Sequence, residues 1–562
     1  MNGYPLSAIR YPLAFAAIAA PLQGQQVADL VFRGGRIYTA NDGAPVAEAL
    51  AVRGDQIVFV GKAAAVQRFV GPHTRVIELG DRIVVPGLAD AHAHVAGIGA
   101  RELSFNLEGT RSLADFLARV EAQVRSAGPG SWITGRNWIE THWPERRFPT
   151  RQDVDRVAPD NPVFLRRSDG HAAVANSKAL GEAGITRDTP PPFGGEILRD
   201  AEGEPTGMLI DRAQELVQRR VPAATPAQLD SALVVGAARS IRLGWTQLHD
   251  AGGEWDEVQR MRELYRSGRL KLRIYKAVSG PGPAADTVLK RGASVGEFGG
   301  RFTVRTVKSW LDGALGSRGA ALLEPYSDRP DTRGLLRTRL ERYRPMLREA
   351  LRHGIQVAAH AIGDSANRLL LDLYAEAFQA VPADGRKVRE PRWRDEHTQV
   401  VSPADVPRFA QLGVIPSMQP SHAISDLHFA PSRLGPERVA GAYAWRSLLR
   451  TGVPIAGGSD APVERGEPMI EFYAAITRRD TTGFQNADWH PEQAATRREA
   501  LKMFTVWPAY AAFEEDRRGT IEAGKWADLT VLSADIMRIP EREILRTRAV
   551  MTVIGGEIVY EE

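Results

Sequence analysis

In the stretch VVPGLADAHAHV, Val84 to Val95, His92 and His94 stand one residue apart at the end of an apolar run. Alternation along a strand sends residues i and i+2 to one face, so the two imidazoles project together. Four further groups lie at or near the ends of strand-like runs: Lys308 in VKSWLDG, His360 in AAHAIGD, His397 in RDEHTQ and Asp460 in GGSDAP. Taken singly, each has an ordinary reading. A lone strand histidine is usually a hydrogen-bonded core residue, an isolated H-x-H decides nothing, Lys308 could form a salt bridge, and Asp460 could cap a helix or shape a turn. Together they are costly to bury unsatisfied, and a metal ion removes that cost. The chain has no cysteine, so nitrogen and oxygen must supply the ligands, and imidazole with carboxylate suits zinc.

The elements that carry these groups form a regular series. After VVPGLADAHAHV come GWTQLHDAG, LKLRIYKAV, RFTVRTVKSWLDG, GIQVAAHAIGD, PRWRDEHTQ, GVIPSMQP and GVPIAGGSDAP. Amphipathic stretches such as ERYRPMLREALRHG and SANRLLLDLYAEAFQAV separate them. Eight strand-like runs, most followed by a helix, predict an α/β fold with a (β/α)8 barrel whose site lies at the C-terminal strand ends. Lys308 then falls near the end of strand four, His360 ends strand five, His397 ends strand six and Asp460 ends strand eight. The barrel takes 88–100 and 226–510. The segment 101–225, richer in Gly, Pro and Trp, breaks the rhythm after strand one and reads as an insertion near the site. The ends, 28–87 and 511–562, show period-two, glycine-punctuated texture, and GGRIY near the start is echoed by GGEIVY near the end. They predict one small β-sandwich built from both termini. Gly524 and Asp528 read there as turn and strand-entry residues.

With 562 residues, 43% hydrophobic and 25% charged, the chain has the composition of a multi-domain globular protein. The net charge of +4 is scattered, and no basic run with interleaved aromatics occurs, which disfavours nucleic-acid binding. Residues 1–27 hold one positive charge, Arg10, an Ala-rich apolar segment and small residues at Ala17 and Ala19. This reads as a secretory signal, implying a periplasmic or secreted protein, with a leader on a cytoplasmic protein as the alternative. No segment reads as an integral membrane span.

The motifs VVPGLADAHAHV, VKSWLDGALGSRGA, AAHAIGD, RDEHTQ, SMQPSH, GGSDAPV and GTIEAGKWADLTVL, with PTRQDVDRVAPDNPVFLRRSDGHAAVANSKAL and GEPTGMLID of the insertion, are present together. In these the chain, from about Ala28 to its end, resembles the amidohydrolase superfamily, in its amidohydrolase-3 (YtcJ-like) branch. The resemblance implies a binuclear centre, usually two zinc ions, with His92, His94 and Asp460 on the first metal and His360 and His397 on the second. Lys308, carboxylated by CO2, would bridge them. It further implies a metal-dependent hydrolase of an amide or N-acyl C–N bond in a small molecule. A metal-bridging hydroxide would attack the carbonyl, and Asp460 would move the proton as general acid and base. Ester or lactone hydrolysis and deamination are the alternatives on such a scaffold, and a homodimer is common among similar proteins.

Further candidates surround this set. His171 in SDGH and His422 in QPSH could polarise a substrate carbonyl or stabilise an oxyanion, or shape their loops. Arg318 could bind a substrate carboxylate or brace a loop, and Trp138 and Trp310 could line an apolar pocket or simply pack. His249 and Asp90 read as partners of the ligands. His73, His142, His353, His428 and His490 read as surface or loop residues.

Overall fold

Eight short strands follow one another around the core: Leu88–Ala93, Trp245–Asp250, Arg273–Ser279, Phe302–Trp310, Gln356–Ala361, Arg394–His397, Ile415–Met418 and Ala456–Gly457. Each pairs in parallel with the next, forming the predicted barrel. The computed structural model describes residues 27–486 and 489–562, so the leader read at 1–27 lies outside them except for its last residue. Register brings the chemistry-bearing ends level: Trp310 lies opposite His360, and Ala361 opposite His397. The helices between strands carry clear start and stop signals. Helix Pro226–Leu243 opens on a Thr225/Gln228 capping box and ends at left-handed Gly244, one residue before the second strand.

The barrel closes without a regular ladder between its eighth and first strands. Past the end of the eighth strand, the Asp460 N–H donates to the His92 carbonyl (2.7 Å) and the His94 N–H to the Ala461 carbonyl (2.8 Å). A side chain completes the seam. Asp90 accepts from the backbone N–H of Ser459 (2.9 Å), from the Ser459 hydroxyl and from the His92 N–H (3.0 Å). Gly458 permits the approach, because a Cβ there would lie 2.5 Å from the His92 nitrogen. Lower down, the Ala89 N–H turns away to the Phe504 carbonyl. The stitched seam is thus the segment that carries His92, His94 and Asp460.

The two termini build one β-domain, as expected, and its eight strands are hydrogen-bonded together. Strand Ile83–Pro86 is the reason: it pairs parallel with Leu30–Tyr38 and antiparallel with Leu529–Leu532, joining the strands of both ends. Phe32, Leu50, Val84, Leu529 and Val553 pack on one face, while Val66 and Phe69 cover Val31 and Ala51 on the other. Asp528, expected as a strand-entry residue, also pins this sheet to the barrel. It is buried and receives both Arg273 Nε (2.7 Å) and Nη2 (2.9 Å) from the third barrel strand. In the insertion, six strands order as Gly195–Arg199, Pro205–Asp211, Ala172–Ala175, Val163–Arg167, Ile133–Trp138 and Phe105–Asn106.

The seam predicts a stability cost. Asp90→Ala leaves the N–H groups of Ser459 and His92 buried without their acceptor, and should lower the unfolding free energy by about 2–4 kcal/mol. Urea unfolding of the metal-free protein measures this, and a loss below about 0.5 kcal/mol would remove Asp90 from the account of closure.

Candidate metal centre and active-site cleft

At the mouth of the barrel several imidazoles face one carboxylate. Asp460 Oδ1 lies 3.1 Å from His94 Nε2 and 3.5 Å from His92 Nε2, while Oδ2 lies 3.5 Å from His422 Nε2 and 4.0 Å from His397 Nδ1. The rings of His92 and His94 are 5.5 Å apart, those of His92 and His397 4.8 Å, and those of His360 and His397 4.5 Å. His397 can join this group only because its backbone departs from the strand. At φ +80° it is left-handed, as is Thr398 at +47°, so His397 and the preceding Glu396 both reach His92. Asp460 is left-handed too, at φ +57°, which places backbone strain at the site itself.

Burial sets the state of these groups. It holds the imidazoles of His92, His360 and His397 below their ordinary range, which keeps them neutral with lone pairs available. Burial alone would raise the Asp460 carboxyl, yet the surrounding imidazoles hold it well below the usual carboxylate range. One carboxylate cannot satisfy four imidazoles, and His92 Nε2 is buried with no hydrogen-bond partner among the described residues. Two groupings have the reach to hold a metal ion: His92, His94 and Asp460, and His397, His422 and Asp460. The donor set and the orphaned nitrogen fit a divalent cation.

The remaining expected ligands stand close by but outside those two groupings. His360 Nε2 faces the Gly313 carbonyl at 3.4 Å and Asp312 at 3.5 Å. Lys308 is buried, its Nζ 4.6 Å from the centre of the Trp310 ring. Burial lowers its ammonium to about 8, against the opposing pull of Glu396 and Asp460. Trp310 thus packs over Lys308.

Glu396 is the main residue that sequence reasoning missed. It holds His92 Nδ1 on one side and Arg394 Nε, at 2.6 Å, on the other. Burial would raise its carboxyl, but Arg394 and His92 hold it below the usual range. A carboxylate on Nδ1 fixes the tautomer that turns Nε2 towards Asp460. The signal was present in RDEH, four ionisable residues in succession along one buried strand. Arg394 also donates to the Ser417 hydroxyl (2.8 Å) and meets His249 Nδ1 (2.8 Å), so His249 partners this arginine rather than a ligand.

Above the centre opens a cleft of about 850 Å³ between barrel and insertion. Its walls include His171, Leu315, His360, His397, His422 and Phe429. His422 Nδ1 lies 2.8 Å from the Gln399 amide nitrogen, a donor, which leaves the hydrogen on Nε2. His171 is held the opposite way: its Nδ1 lies 2.6 Å from Asp211 Oδ1, an acceptor, which leaves the lone pair on Nε2. Nε2 of His171 is then the ring nitrogen left for the cleft. The structure places Trp138 away from it. Its side chain is buried among Phe116, Trp143 and Leu165 in the insertion, with Nε1 on the Leu165 carbonyl. Arg318 is spent on Asp328, at 2.9 Å. His428, read as a surface residue, lies on the cleft wall near Asp480 (3.1 Å).

The model of the Amidohydrolase family matches residues 75–560. The chain belongs to the amidohydrolase family. It is 34% identical to the protein LONG AFTER FAR-RED 3 of Arabidopsis thaliana, over 95% of this chain and 92% of that one. It is 28% identical to an N-substituted formamide deformylase of Arthrobacter pascens, over 95% and 99%. A metal-dependent hydrolase of Pyrococcus furiosus superposes with a TM-score of 0.69 at 26% identity, covering 91% of this chain and all of that one. As a member of this family the protein is a metal-dependent amidohydrolase. Among the described residues no helix is long and apolar enough to cross a membrane.

Glu396→Gln keeps the shape of the side chain but removes the charge that orients His92. Zinc affinity of this amidohydrolase should fall about 10–100-fold, measured by competition with a chromogenic chelator, while the far-UV spectrum is unchanged. Unaltered affinity would show that Glu396 serves the fold alone.

Proposed function

We propose that the protein hydrolyses the C–N bond of a small amide or N-acyl compound, releasing a carboxylate and an amine. The observation that carries this reading is the set of imidazoles around Asp460 at the floor of a cleft of substrate size. The similarity to an N-substituted formamide deformylase supports it. Two zinc ions fit the reading, with His92, His94 and Asp460 on one and His360 and His397 on the other. Bound there, zinc supplies Lewis acidity, making water acidic enough to act near neutral pH and drawing electrons from a carbonyl. Lys308 would bridge the pair as a carbamate: at a pKa of about 8 a share of it is free amine near neutral pH. That amine adds CO2 with loss of one proton.

The chain's own groups then divide the work. Asp460 accepts a proton from the attacking water and returns it to the leaving nitrogen. His422, with hydrogen on Nε2, donates to the carbonyl oxygen as negative charge develops there. Leu315 and Phe429 narrow the cleft and keep bulk water from the acyl group.

Two outcomes test this reading. Asp460→Asn should lower kcat about 10²–10⁴-fold while retaining most of its metal, measured by elemental analysis beside steady-state kinetics; an active Asn variant would refute the assignment. The zinc-loaded protein, offered N-formyl amines, N-acyl amines, N-acyl amino acids, cyclic ureas and lactones, should release amine from an N-acyl member and lose that activity on chelation. A profile confined to lactones would contradict the C–N assignment.

A further inference from the structure

Asp211 is a buried carboxylate that the proposed chemistry does not use, and its surroundings are built around it. It ends strand Pro205–Asp211 of the insertion in a left-handed conformation, φ +48°. Its N–H donates to the His171 carbonyl (2.7 Å) and its Oδ1 takes His171 Nδ1 (2.6 Å), so the two residues are tied twice. The loop after the fourth barrel strand is shaped to receive it. A Cβ on Gly313 or Gly319 would lie 2.4 or 2.5 Å from Asp211 Oδ2. The turn that carries His171 is fixed from the other side as well. Asp169 accepts the His171 N–H (3.0 Å), Gln214 donates to the Gly170 carbonyl (3.0 Å), and Arg167 is paired with Glu140 and Asp169. His171 is therefore a clamped imidazole delivered by the insertion onto the cleft wall, its ring 5.2 Å from that of His360.

A carboxylate only accepts, so the His171 hydrogen sits on Nδ1 and the lone pair of Nε2 faces the cleft. Arg337, whose Nη1 lies 3.6 Å from the same Asp211 oxygen, already balances that negative charge. We propose that His171, positioned by Asp211, is a hydrogen-bond acceptor for a substrate N–H, so that the site selects primary or N-monosubstituted amides over N,N-disubstituted amides and esters. The proposal rests on the C–N hydrolase reading above. Within the cleft an N–H that finds this acceptor gains one hydrogen bond, and a substrate without the N–H leaves the Nε2 lone pair unmet. Asp211 is a positioning residue and His171 is the group that touches substrate.

The test compares matched substrates, an N-monoalkyl formamide and its N-methylated counterpart, on the zinc-loaded full-length protein. Wild type should favour the N–H substrate about 10–100-fold in kcat/KM. Asp211→Asn offers an amide N–H to Nδ1 and moves the ring hydrogen to Nε2, so this preference should collapse to within about threefold, whatever happens to the absolute rates. His171→Phe keeps a ring in place without the lone pair and should show the same collapse. Long-range 15N–1H correlation spectra of histidine-labelled wild type, assigned with His171→Phe, should show Nε2 of His171 without hydrogen; this reading does not depend on how well a variant folds. A preference that survives in Asp211→Asn, or a wild type that hydrolyses both formamides equally, would overturn the acceptor role and leave C–N hydrolysis standing. A wild type that cleaves lactones and neither formamide would overturn both.

Discussion

The carboxylate of Asp460 is the point on which the site depends. It lies within 4.0 Å of four imidazoles drawn from the first, sixth and seventh strand ends, and it hangs on the seam that closes the barrel. The same few residues serve both purposes. The Asp460 N–H stitches to the carbonyl of His92, and Asp90 grips Ser459 beside it. Closing the barrel and gathering these side chains thus rest on the same contacts, and left-handed backbone at Asp460 and His397 is the strain that the stitched seam absorbs. Beneath it, the line from Arg394 through Glu396 to His92 converts an interior charge pair into the orientation of the His92 ring.

The insertion supplies what a plain barrel lacks. It roofs the cleft and brings His171 against the imidazoles of the strand ends, on a turn held by Asp169, Gln214 and Asp211. The two cleft histidines are fixed in opposite tautomers by opposite partners, a carboxylate for His171 and an amide nitrogen for His422. The two rings thus meet the cleft in opposite hydrogen-bonding senses.

Much of this was legible in the residues. Period and punctuation mark all eight strands, and the ionisable groups stand out because they recur at the same end of successive strands. What stayed hidden depends on partners distant in sequence or on local departures from regular geometry. Alternation places Glu396 on the face opposite His397; only the left-handed turn at His397 lets both reach His92. Asp211 gives no signal in GEPTGMLID, since its partner lies 40 residues earlier and its socket, Gly313 and Gly319, a hundred later. Trp138 has the composition of a pocket residue, but its indole is used to build the core of the insertion. The strands of the two ends are joined by Ile83–Pro86, which pairs with both, a long-range choice that strand patterning does not encode.

The central claim is that these side chains hold a catalytic metal at the seam. Anomalous diffraction at the zinc edge, from crystals of the zinc-loaded protein, tests it most directly. The account predicts a strong peak bounded by His92, His94 and Asp460, with a second beside His397. Zinc bound elsewhere on the chain, with no peak among these three side chains, would contradict it.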